Sequence, residues 1–527
     1  MLNPADYLYL LSVKDMGHGL LLGFFFLIVL PKGWQFRALG SLNTLSKIIF
    51  ALALSLAVGY LIFPNYFDHA EPTVATLGQI VQSGGLAYPS GDQWQFMGLI
   101  YGPGIYLSNA IAMLVGDPVL GSKLPGVLAY VVSLLVLWQR LPSPISRSAL
   151  VLIFFFYEFG FWNRPESYLL LLSTLSVALV LKSASWGLLC TGILAGIATT
   201  FKFTGFLFFI PVTLLLLMQG HSLRQLWVAI FAGLAVALAP YALSSFSLAN
   251  HLAYVESLAS QTLSDGLFHR NIAYSLFSIL PIAWLWTALS KGNSSKNHYG
   301  LMILVVIVTE FLVCVLASKP GAGPHHLLPG LPIKLWLIHE LSRSQDVNGH
   351  RSLRFLGLVL WSMSLYYIAY GYPKFLKNHF VSVDYLEGQY KARNEFHSLL
   401  KKFPNLYVGV TDSTHANYSL SFFRPYAFGS DYADKLDPVA FMEVSFTTNI
   451  DDRRFVSKIE TCSYPFIILP SKGQPFTILN FYTNKPLFSD ELRRVFAREY
   501  RLTEKGTYFH VFECRKNRLR ISGEFLG

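Results

Sequence analysis

The sequence is poor in charge. Asp, Glu, Lys and Arg make up 13% of its 527 residues, whereas soluble proteins carry roughly 25%. Because 53% of the residues are hydrophobic, this deficit excludes an ordinary soluble protein and makes lipid the solvent for much of the chain. The net charge of +11 does not indicate a nucleic-acid partner, since the basic residues are scattered in short segments between apolar runs.

A cleavable signal peptide and a rich set of cysteines are also missing. Charged residues interrupt the first fifteen positions, and no basic segment precedes a short apolar core. Of the four cysteines, Cys190 and Cys314 lie in apolar runs, whereas Cys462 and Cys514 lie in the polar C-terminal segment. If that segment is outside the cytoplasm, the last two can form a disulfide.

Long apolar runs are abundant. A bilayer core of ~30 Å needs about 20 apolar residues in a helix, and the runs predict a mainly α polytopic membrane protein with about 11–12 transmembrane helices. The predicted spans are near 8–30, 43–63, 118–138, 148–162, 166–182, 187–201, 203–219, 226–247, 271–290, 299–317, 326–342 and 354–371.

Charges separate between alternate loops, which fixes an orientation because basic loops remain in the cytoplasm. The basic loops hold Lys32, Arg37, Lys47, Arg140, Arg147, Lys182, Arg224, Lys291, Lys296, Arg343, Arg351 and Arg354. The other loops hold Asp68, Glu71, Asp92, Asp117, Glu166, Glu256 and Asp265. We therefore expect an integral membrane protein of a bacterial inner membrane, with its C-terminal segment in the periplasm.

Two domains are predicted. Residues 1–372 form the membrane domain, with a long first outer loop at 64–117 and a polar outer loop at 248–270. In the first loop, an apolar stretch at 96–115 is broken by glycine and proline, which favours a helix on the membrane surface. Residues 373–527 form a small α/β domain, with an amphipathic helix at 384–402 and buried strands in NLYVGV, YPFIILP and GTYFHVFEC.

The segment FPNYFDHAEP follows the second span and places Asp68, His69 and Glu71 at the outer surface. Ionisable residues near the membrane are costly and usually functional. A partly buried carboxylate could deprotonate an acceptor hydroxyl or amine as a general base. The alternative is a solvated loop with ordinary charges.

Basic and histidine residues fall in three later outer motifs. NRPES carries Arg164 and Glu166, which could be functional or form a local ion pair that caps two helices. Lys202 in TTFKFTG either extends to the interface or binds an anionic group. The segment SKPGAGPHHLLPGLP carries Lys319 and two adjacent histidines, and phosphate contact is favoured there over metal because neighbours in sequence rarely bind one ion.

Taken in order, these motifs resemble the GT-C superfamily of polyprenyl-phosphate-sugar-dependent glycosyltransferases. That family includes protein O-mannosyltransferases and the lipid A aminoarabinose transferase. The resemblance covers roughly 43–372 and rests on FDHAEP, YGPGIY, SKLPG, RPES, GILAGIATTFKFTG and KPGAGPHHLLPGLP. It implies a GT-C-like fold. Lys123 in SKLPG stands where the family commonly has arginine.

Residue roles follow from the resemblance. It implies Asp68 or its neighbour Glu71 as the catalytic base, and Glu166 with His69 as contacts to an acceptor or a divalent metal ion. Tyr101 of YGPGIY would contact donor or acceptor. The residues implied at the donor phosphate are Arg164, Lys202, Lys319, His325 and His326.

The activity implied is an inverting transfer of a sugar from a polyprenyl-phosphate donor to a glycan, lipid or protein on the outer face. A divalent metal is the one cofactor that the family suggests. Two other functions stay open: a polymerase or ligase of lipid-linked glycans, and a transporter or flippase of lipid-linked sugars. A scaffold that binds a partner through its C-terminal domain is a further alternative.

Overall fold

A computed structural model describes most of the chain. The residues it describes are 25, 28–29, 31–68, 70–88, 101–156, 160–180, 186–259, 262–289, 295–319, 321–344, 350–379, 383–403, 406–409, 420–427, 441–442, 452–480 and 483–516. The predicted span at 8–30 lies almost entirely outside these residues, and so does His69.

Helices dominate the described residues. In chain order they are α1 Lys32–Ile62, α2 Ala70–Gln82, α3 Pro103–Ala112, α4 Pro118–Arg140, α5 Pro144–Ser148, α6 Val151–Phe156, α7 Pro165–Val180, α8 Gly187–Phe201, α9 Ile210–Met218, α10 Leu223–Leu238, α11 Leu248–Ala259, α12 Asp265–Thr287, α13 Ser295–Leu316, α14 Leu331–Arg343, α15 His350–Tyr366, α16 Tyr372–His379, α17 Val383–Lys402, α18 Leu420–Phe423, α19 Arg453–Glu460 and α20 Asp490–Glu499. The 3-10 helices are Met113–Val115, Phe203–Phe209, Ala239–Ala242, Pro324–Gly330 and Arg424–Ala427, and Tyr367–Gly371 is a π-helix.

Among the described residues, five helical segments are long and apolar enough to cross a membrane. They are Arg37–Ile62, Pro118–Arg140, Leu223–Ala242, Asn297–Leu316 and Arg351–Lys377. Shorter apolar helices such as α7 and α8 accompany them. These helices make the chain an integral membrane protein, as its low charge predicts.

The chain forms two compact units. The first comprises Met1–Leu61, Gly126–Pro240 and Thr262–Phe380, and the second comprises Ile62–Pro125, Tyr241–Gln261 and Val381–Gly527. The segments 62–125 and 241–261 thus belong to the same unit as the C-terminal segment. The predicted division into 1–372 and 373–527 stays a prediction.

In the first unit, α8 and α10 pack closely because small residues line their contact. A Cβ on Gly192 would meet the Ala229 carbonyl oxygen at 2.3 Å, and one on Gly196 would meet the Gly233 oxygen at 2.3 Å. Small residues let helix backbones approach in lipid, where the hydrophobic effect does not drive helices together. The outer face of α10 exposes large apolar side chains, which suits contact with lipid: Trp227, Val228, Phe231, Leu234 and Leu238.

In the second unit, the C-terminal segment forms a four-stranded sheet in the order β1-β2-β6-β5. Its strands are β1 Leu406–Val408, β2 Phe466–Pro470, β5 Tyr500–Lys505 and β6 Phe509–Cys514; β3 Leu479–Asn480 and β4 Lys485–Pro486 form a separate pair. The strand pair β1–β2 is parallel, and the pairs β2–β6 and β6–β5 are antiparallel. The predicted helix at 384–402 and the three predicted strands are confirmed as α17, β1, β2 and β6.

Cys462 and Cys514 form a disulfide, with their Cα atoms 5.9 Å apart. Cys514 ends β6, and the backbone N–H of Cys514 donates to the Pro465 carbonyl oxygen just before β2. The bridge therefore reinforces a contact that the sheet already makes.

Several predicted boundaries change in the structure. The outer loop predicted at 248–270 contains α11, and α12 begins within it at Asp265. The predicted spans at 203–219 and 326–342 begin as 3-10 helices, since glycine and proline interrupt both starts. In the stretch 96–115, helix α3 begins only at Pro103, and residues 96–100 lie outside the described part. Of the span predicted at 148–162, the described helix is α6.

Candidate functional site

Three of the predicted motifs converge in the first unit. We call Arg164, Glu166, Lys202, His325 and His326 the Glu166 cluster. Glu166 lies in the first turn of α7, which Pro165 begins. The turn before this helix is held by Ser167, whose hydroxyl donates to the carbonyl oxygens of Gly160 and Trp162. A carboxylate at this position is favoured by the helix dipole.

Lys202 stands where α8 ends. Its backbone is extended, with φ −152° and ψ 128°, so the chain leaves the helix at this residue and re-enters a 3-10 helix at Phe203. The return is tight, because a Cβ on Gly205 would meet the Ala198 carbonyl oxygen at 2.5 Å. The motif FKFTG therefore needs its glycine to place Lys202 at the helix end.

The two histidines lie in the 3-10 helix Pro324–Gly330. Glu166 Oε1 lies 2.7 Å from His326 Nδ1 and 2.9 Å from Lys202 Nζ. The Lys202 ammonium also contacts the His326 ring. Behind His326, the ring nitrogen His325 Nε2 is 3.1 Å from Arg164 Nη1. The cluster thus links residues that are far apart in sequence through direct contacts.

The contacts leave two buried atoms of the Glu166 cluster unsatisfied. Within the described residues, Glu166 Oε2 and His325 Nδ1 have no hydrogen-bond partner. Buried polar atoms are nearly always paired, so an unpaired one calls for an explanation such as a bound group. Glu166 itself is 4% exposed, which excludes bulk water as the routine partner of its carboxylate.

A divalent metal was the cofactor implied by the resemblance. Ligand atoms of Glu166, His325 and His326 all lie within 4.8 Å of one another, and two histidines with a carboxylate are an ordinary zinc set. The two adjacent histidines are therefore closer to a shared ligand geometry than their sequence suggested. However, the Lys202 ammonium already contacts Glu166 and His326, and a dication would lie against it. The cluster as folded fits the ammonium better than a metal ion.

The acidic motif lies in the second unit. Glu71 is fully buried, and its Oε1 accepts hydrogen bonds from the backbone N–H groups of Phe67 and Asp68, both at 3.0 Å. It thereby satisfies backbone donors at the start of α2, as a carboxylate in a first helical turn commonly does. Asp68 is only half-buried, and its Oδ2 accepts from the Ala70 backbone N–H at 3.3 Å. The two acids therefore have different surroundings, although the sequence left them equivalent.

Lys123 lies in the same unit and is fully buried. Its ammonium donates to the Phe63 carbonyl oxygen at 2.7 Å and lies over the rings of Phe63 and Tyr66. It also interacts electrostatically with Glu71. The lysine of SKLPG thus ties α4 to the residues that precede the acidic motif.

The C-terminal segment contacts this first loop within the second unit. Asn65 donates to the Gln389 side chain at 2.9 Å, and Arg393 of α17 forms an ion pair with Asp117. Burial by itself would raise the pKa of Asp117, but hydrogen bonds from the Leu120 and Val119 backbone and the Arg393 guanidinium lower it. Helix α17 therefore holds the loop segments on either side of the acidic motif.

Other predicted site residues are placed less directly. The Tyr101 side chain is buried and its carbonyl oxygen accepts from the Tyr88 hydroxyl at 2.7 Å. Lys319 stands at the start of the loop that carries the histidines, and burial lowers its pKa. The roles of Tyr101 and Lys319 stay predictions.

Sequence reasoning missed Glu310 and Lys334, which form a buried ion pair in the first unit. A signal was present, because a carboxylate inside the apolar run 299–317 marks a functional position in a membrane protein by default.

Comparison of the sequence with protein-family models and with curated proteins gives no match. Solved structures do match. ArnT from Cupriavidus metallidurans bound to undecaprenyl phosphate is similar with a TM-score of 0.53 and 11% identity, over 88% of this chain and 97% of that chain. The apo state of that ArnT gives a TM-score of 0.49 at 11% identity over the same shares.

The protein is therefore an integral membrane protein with a GT-C-like fold. The similarity to the ArnT complex is the evidence for this fold. The expected fold class is confirmed, including the small C-terminal sheet.

Proposed function

We propose that this chain is a membrane glycosyltransferase that moves a sugar from a polyprenyl-phosphate donor to an acceptor. The observation that carries the proposal is the Glu166 cluster, in which three separate motifs bring a guanidinium, an ammonium and two imidazoles to one buried place. The ArnT complex, which has the same fold, holds undecaprenyl phosphate, and this supports a lipid phosphate as the donor.

The Glu166 cluster would hold the donor phosphate. A guanidinium such as that of Arg164 matches two phosphate oxygens in a fork, and an ammonium acts as a compact positive charge. The Glu166 carboxylate would keep Lys202 in place until the phosphate arrives. As the phosphate leaves with the electron pair of the broken bond, the cations would stabilise its developing charge.

Asp68 would be the general base. Its partner Glu71 already accepts two backbone hydrogen bonds and holds the loop, which favours Asp68 for proton transfer. The acceptor proton would move to Asp68, the acceptor atom would bond to the anomeric carbon, and the bond from that carbon to phosphate oxygen would break. Attack opposite the leaving phosphate would invert the anomeric centre. General-base catalysis of this kind contributes about 10²–10⁴ in rate.

The acceptor would be a glycan, a lipid or a protein on the outer face of a bacterial inner membrane. The charge separation between alternate loops supports that orientation, with the C-terminal sheet in the periplasm. The Cys462–Cys514 disulfide agrees with this placement, since disulfides persist in oxidising compartments.

The test is release of polyprenyl phosphate from a panel of lipid-linked sugars by purified protein in nanodiscs, with cell-envelope extract as acceptor. We expect release by the wild type and a loss of about 10²–10⁴ for Asp68→Asn. Asp265→Asn is the matched control, because it neutralises an exposed acid at the start of α12.

Equal release by wild type and Asp68→Asn would remove Asp68 from the mechanism and point to Glu71. Release that needs no acceptor extract would favour a hydrolase. If no donor is consumed but labelled lipid-linked sugar crosses a proteoliposome membrane, the transporter alternative takes over.

A further inference from the structure

The Glu310–Lys334 ion pair lies apart from the residues given a role above. Glu310 is on α13 and Lys334 is in the first turns of α14, and their side chains are 5% and 1% exposed. Each charge also has a serine partner: Lys334 Nζ donates to Ser278 Oγ at 2.6 Å, and Ser275 Oγ donates to Glu310 Oε2 at 2.6 Å. Both serines belong to α12, so the pair joins three helices of the first unit.

A buried ion pair is a poor way to gain stability alone. Desolvation of two charges largely offsets their attraction, and apolar residues of similar volume often stabilise as well or better. In a membrane protein such charges are rare and usually serve function. Since neither charge reaches solvent, the pair acts through the residues that it touches.

The ion pair contacts the end of the 3-10 helix Pro324–Gly330. Gly330 ends the 3-10 helix that carries His325 and His326, and a Cβ on it would meet Glu310 Oε1 at 3.2 Å. The same Cβ would lie 3.8 Å from the ring of Phe208. Phe208 belongs to the 3-10 helix that begins directly after Lys202. The 3-10 helix that follows Lys202 and the 3-10 helix that carries the histidines therefore come together at Phe208 and Gly330, next to Glu310.

We propose that Glu310 and Lys334 are positioning residues, which hold the segments Phe203–Phe209 and Pro324–Gly330 so that Lys202 and His326 meet Glu166. The role in lipid-phosphate binding rests on the proposed function above, whereas the placement of the histidines does not. Loss of the pair would loosen the cluster without removing any atom from it.

The experiment compares the neutral double variant Glu310→Gln/Lys334→Met with wild type as full chain in nanodiscs. Neutralising both partners leaves no unpaired buried charge, so the unfolding temperature should stay close to wild type. The readout of position is the rate at which diethyl pyrocarbonate modifies His325 and His326, followed by mass spectrometry. We expect that rate to rise about tenfold, because the segment would open locally. Affinity for added undecaprenyl phosphate should fall by about tenfold as well.

The matched control is Glu387→Gln/Lys391→Met, which removes an exposed ion pair with side chains 57% and 61% exposed. It should change neither readout. A double variant with wild-type histidine reactivity would overturn the proposal and leave the pair a purely structural feature. If wild type binds no undecaprenyl phosphate, the proposed function fails, and histidine reactivity still decides on positioning.

Gly330→Ala keeps the test decisive if the double variant does not fold. The glycine has φ −80° and ψ −9°, which alanine adopts freely, so the added methyl acts only by pushing on Glu310. We expect the histidine modification rate to rise several-fold, on the order of 3–10. An unchanged rate in this folded variant would contradict the proposal.

Discussion

The first unit contains two buried lysine–glutamate pairs that differ in how completely they are hydrogen-bonded. At Glu310–Lys334, serine hydroxyls from a third helix contact both charges, and each oxygen of the Glu310 carboxylate has a partner. At Glu166–Lys202, the carboxylate shares one oxygen between lysine and histidine, and its other oxygen has no partner within the described residues. The same two residue types thus form a closed network in one place and an incomplete one in the other.

The difference separates a site that holds the structure from one prepared for a ligand. A satisfied buried network rigidifies its surroundings, while an unsatisfied buried group costs free energy unless something pairs with it. Lys202 is also more open, with a side chain 16% exposed against 1% for Lys334. We therefore expect substitution of Lys334 to lower mainly the stability of the protein, and substitution of Lys202 to lower mainly its activity.

The largest expected effect is on stability at the closed pair. Lys334→Met leaves the Glu310 carboxylate buried without its cation, which should lower the free energy of unfolding by about 3–5 kcal/mol. Thermal unfolding of the protein in detergent measures this, with Lys202→Met in parallel. Equal losses for the two variants would break the comparison, because they would make both pairs structural.

Next in size is the effect on activity at the open pair. Lys202→Met should lower donor turnover by about 10²–10³, since one charge that stabilises the leaving phosphate is removed. Lys202→Arg keeps the charge and should retain more activity. The lipid-phosphate release assay measures both variants, and a Lys202→Met protein with wild-type turnover would exclude this lysine from the donor site.

Zinc binding provides a further test of the difference between the two lysine–glutamate pairs. The Lys202 ammonium competes with a metal for Glu166 and His326, so Lys202→Met should bind Zn²⁺ more tightly than wild type, by about tenfold or more. Isothermal titration of the two proteins provides the comparison, and Lys391→Met serves as control because Lys391 is 61% exposed and its partner is Glu387 rather than a histidine. Wild type that binds zinc as tightly as Lys202→Met would show that the ammonium does not exclude the metal.

The smallest effect concerns a third acid–base pair, Asp117–Arg393 in the second unit, whose side chains are 30% and 27% exposed. The lowered pKa of Asp117 means that its contribution is fully present above the ordinary value of 3.8 and is lost as pH falls through the lowered value. Arg393→Met should cost roughly 0.2–1 kcal/mol at neutral pH, as partly exposed pairs do. Thermal unfolding between pH 6 and pH 3 should show the two proteins approach each other in acid, and a constant gap would contradict this origin.

Much of the architecture could be predicted because its signals are local. Low charge and apolar runs predicted the membrane helices, and three short apolar segments predicted β1, β2 and β6. Boundaries failed at the predicted spans 203–219 and 326–342, because glycine and proline make the first residues of each a 3-10 helix instead of an α-helix.

The candidate site, too, was predictable only in part. Arg164, Glu166, Lys202, His325 and His326 were chosen one by one from their motifs, and the structure brings them together. The separation of Asp68 from Glu71 could not be predicted, because it depends on which carboxylate turns back to the loop backbone. Glu310 and Lys334 were overlooked because each is a single charge in an apolar run.

The sequence by itself determined that this chain lies in a membrane and that an acidic motif follows an early helix. It also determined where helix α17 and three strands of the C-terminal segment lie. These features are predictable because composition and periodicity act over short stretches of sequence. Only the tertiary structure decided that Lys202 contacts Glu166, that Lys334 contacts Glu310, and that Gly330 lies close to both Glu310 and Phe208. Such pairings depend on how distant helices pack, and the free energy of a buried charge depends on every neighbour that packing brings to it.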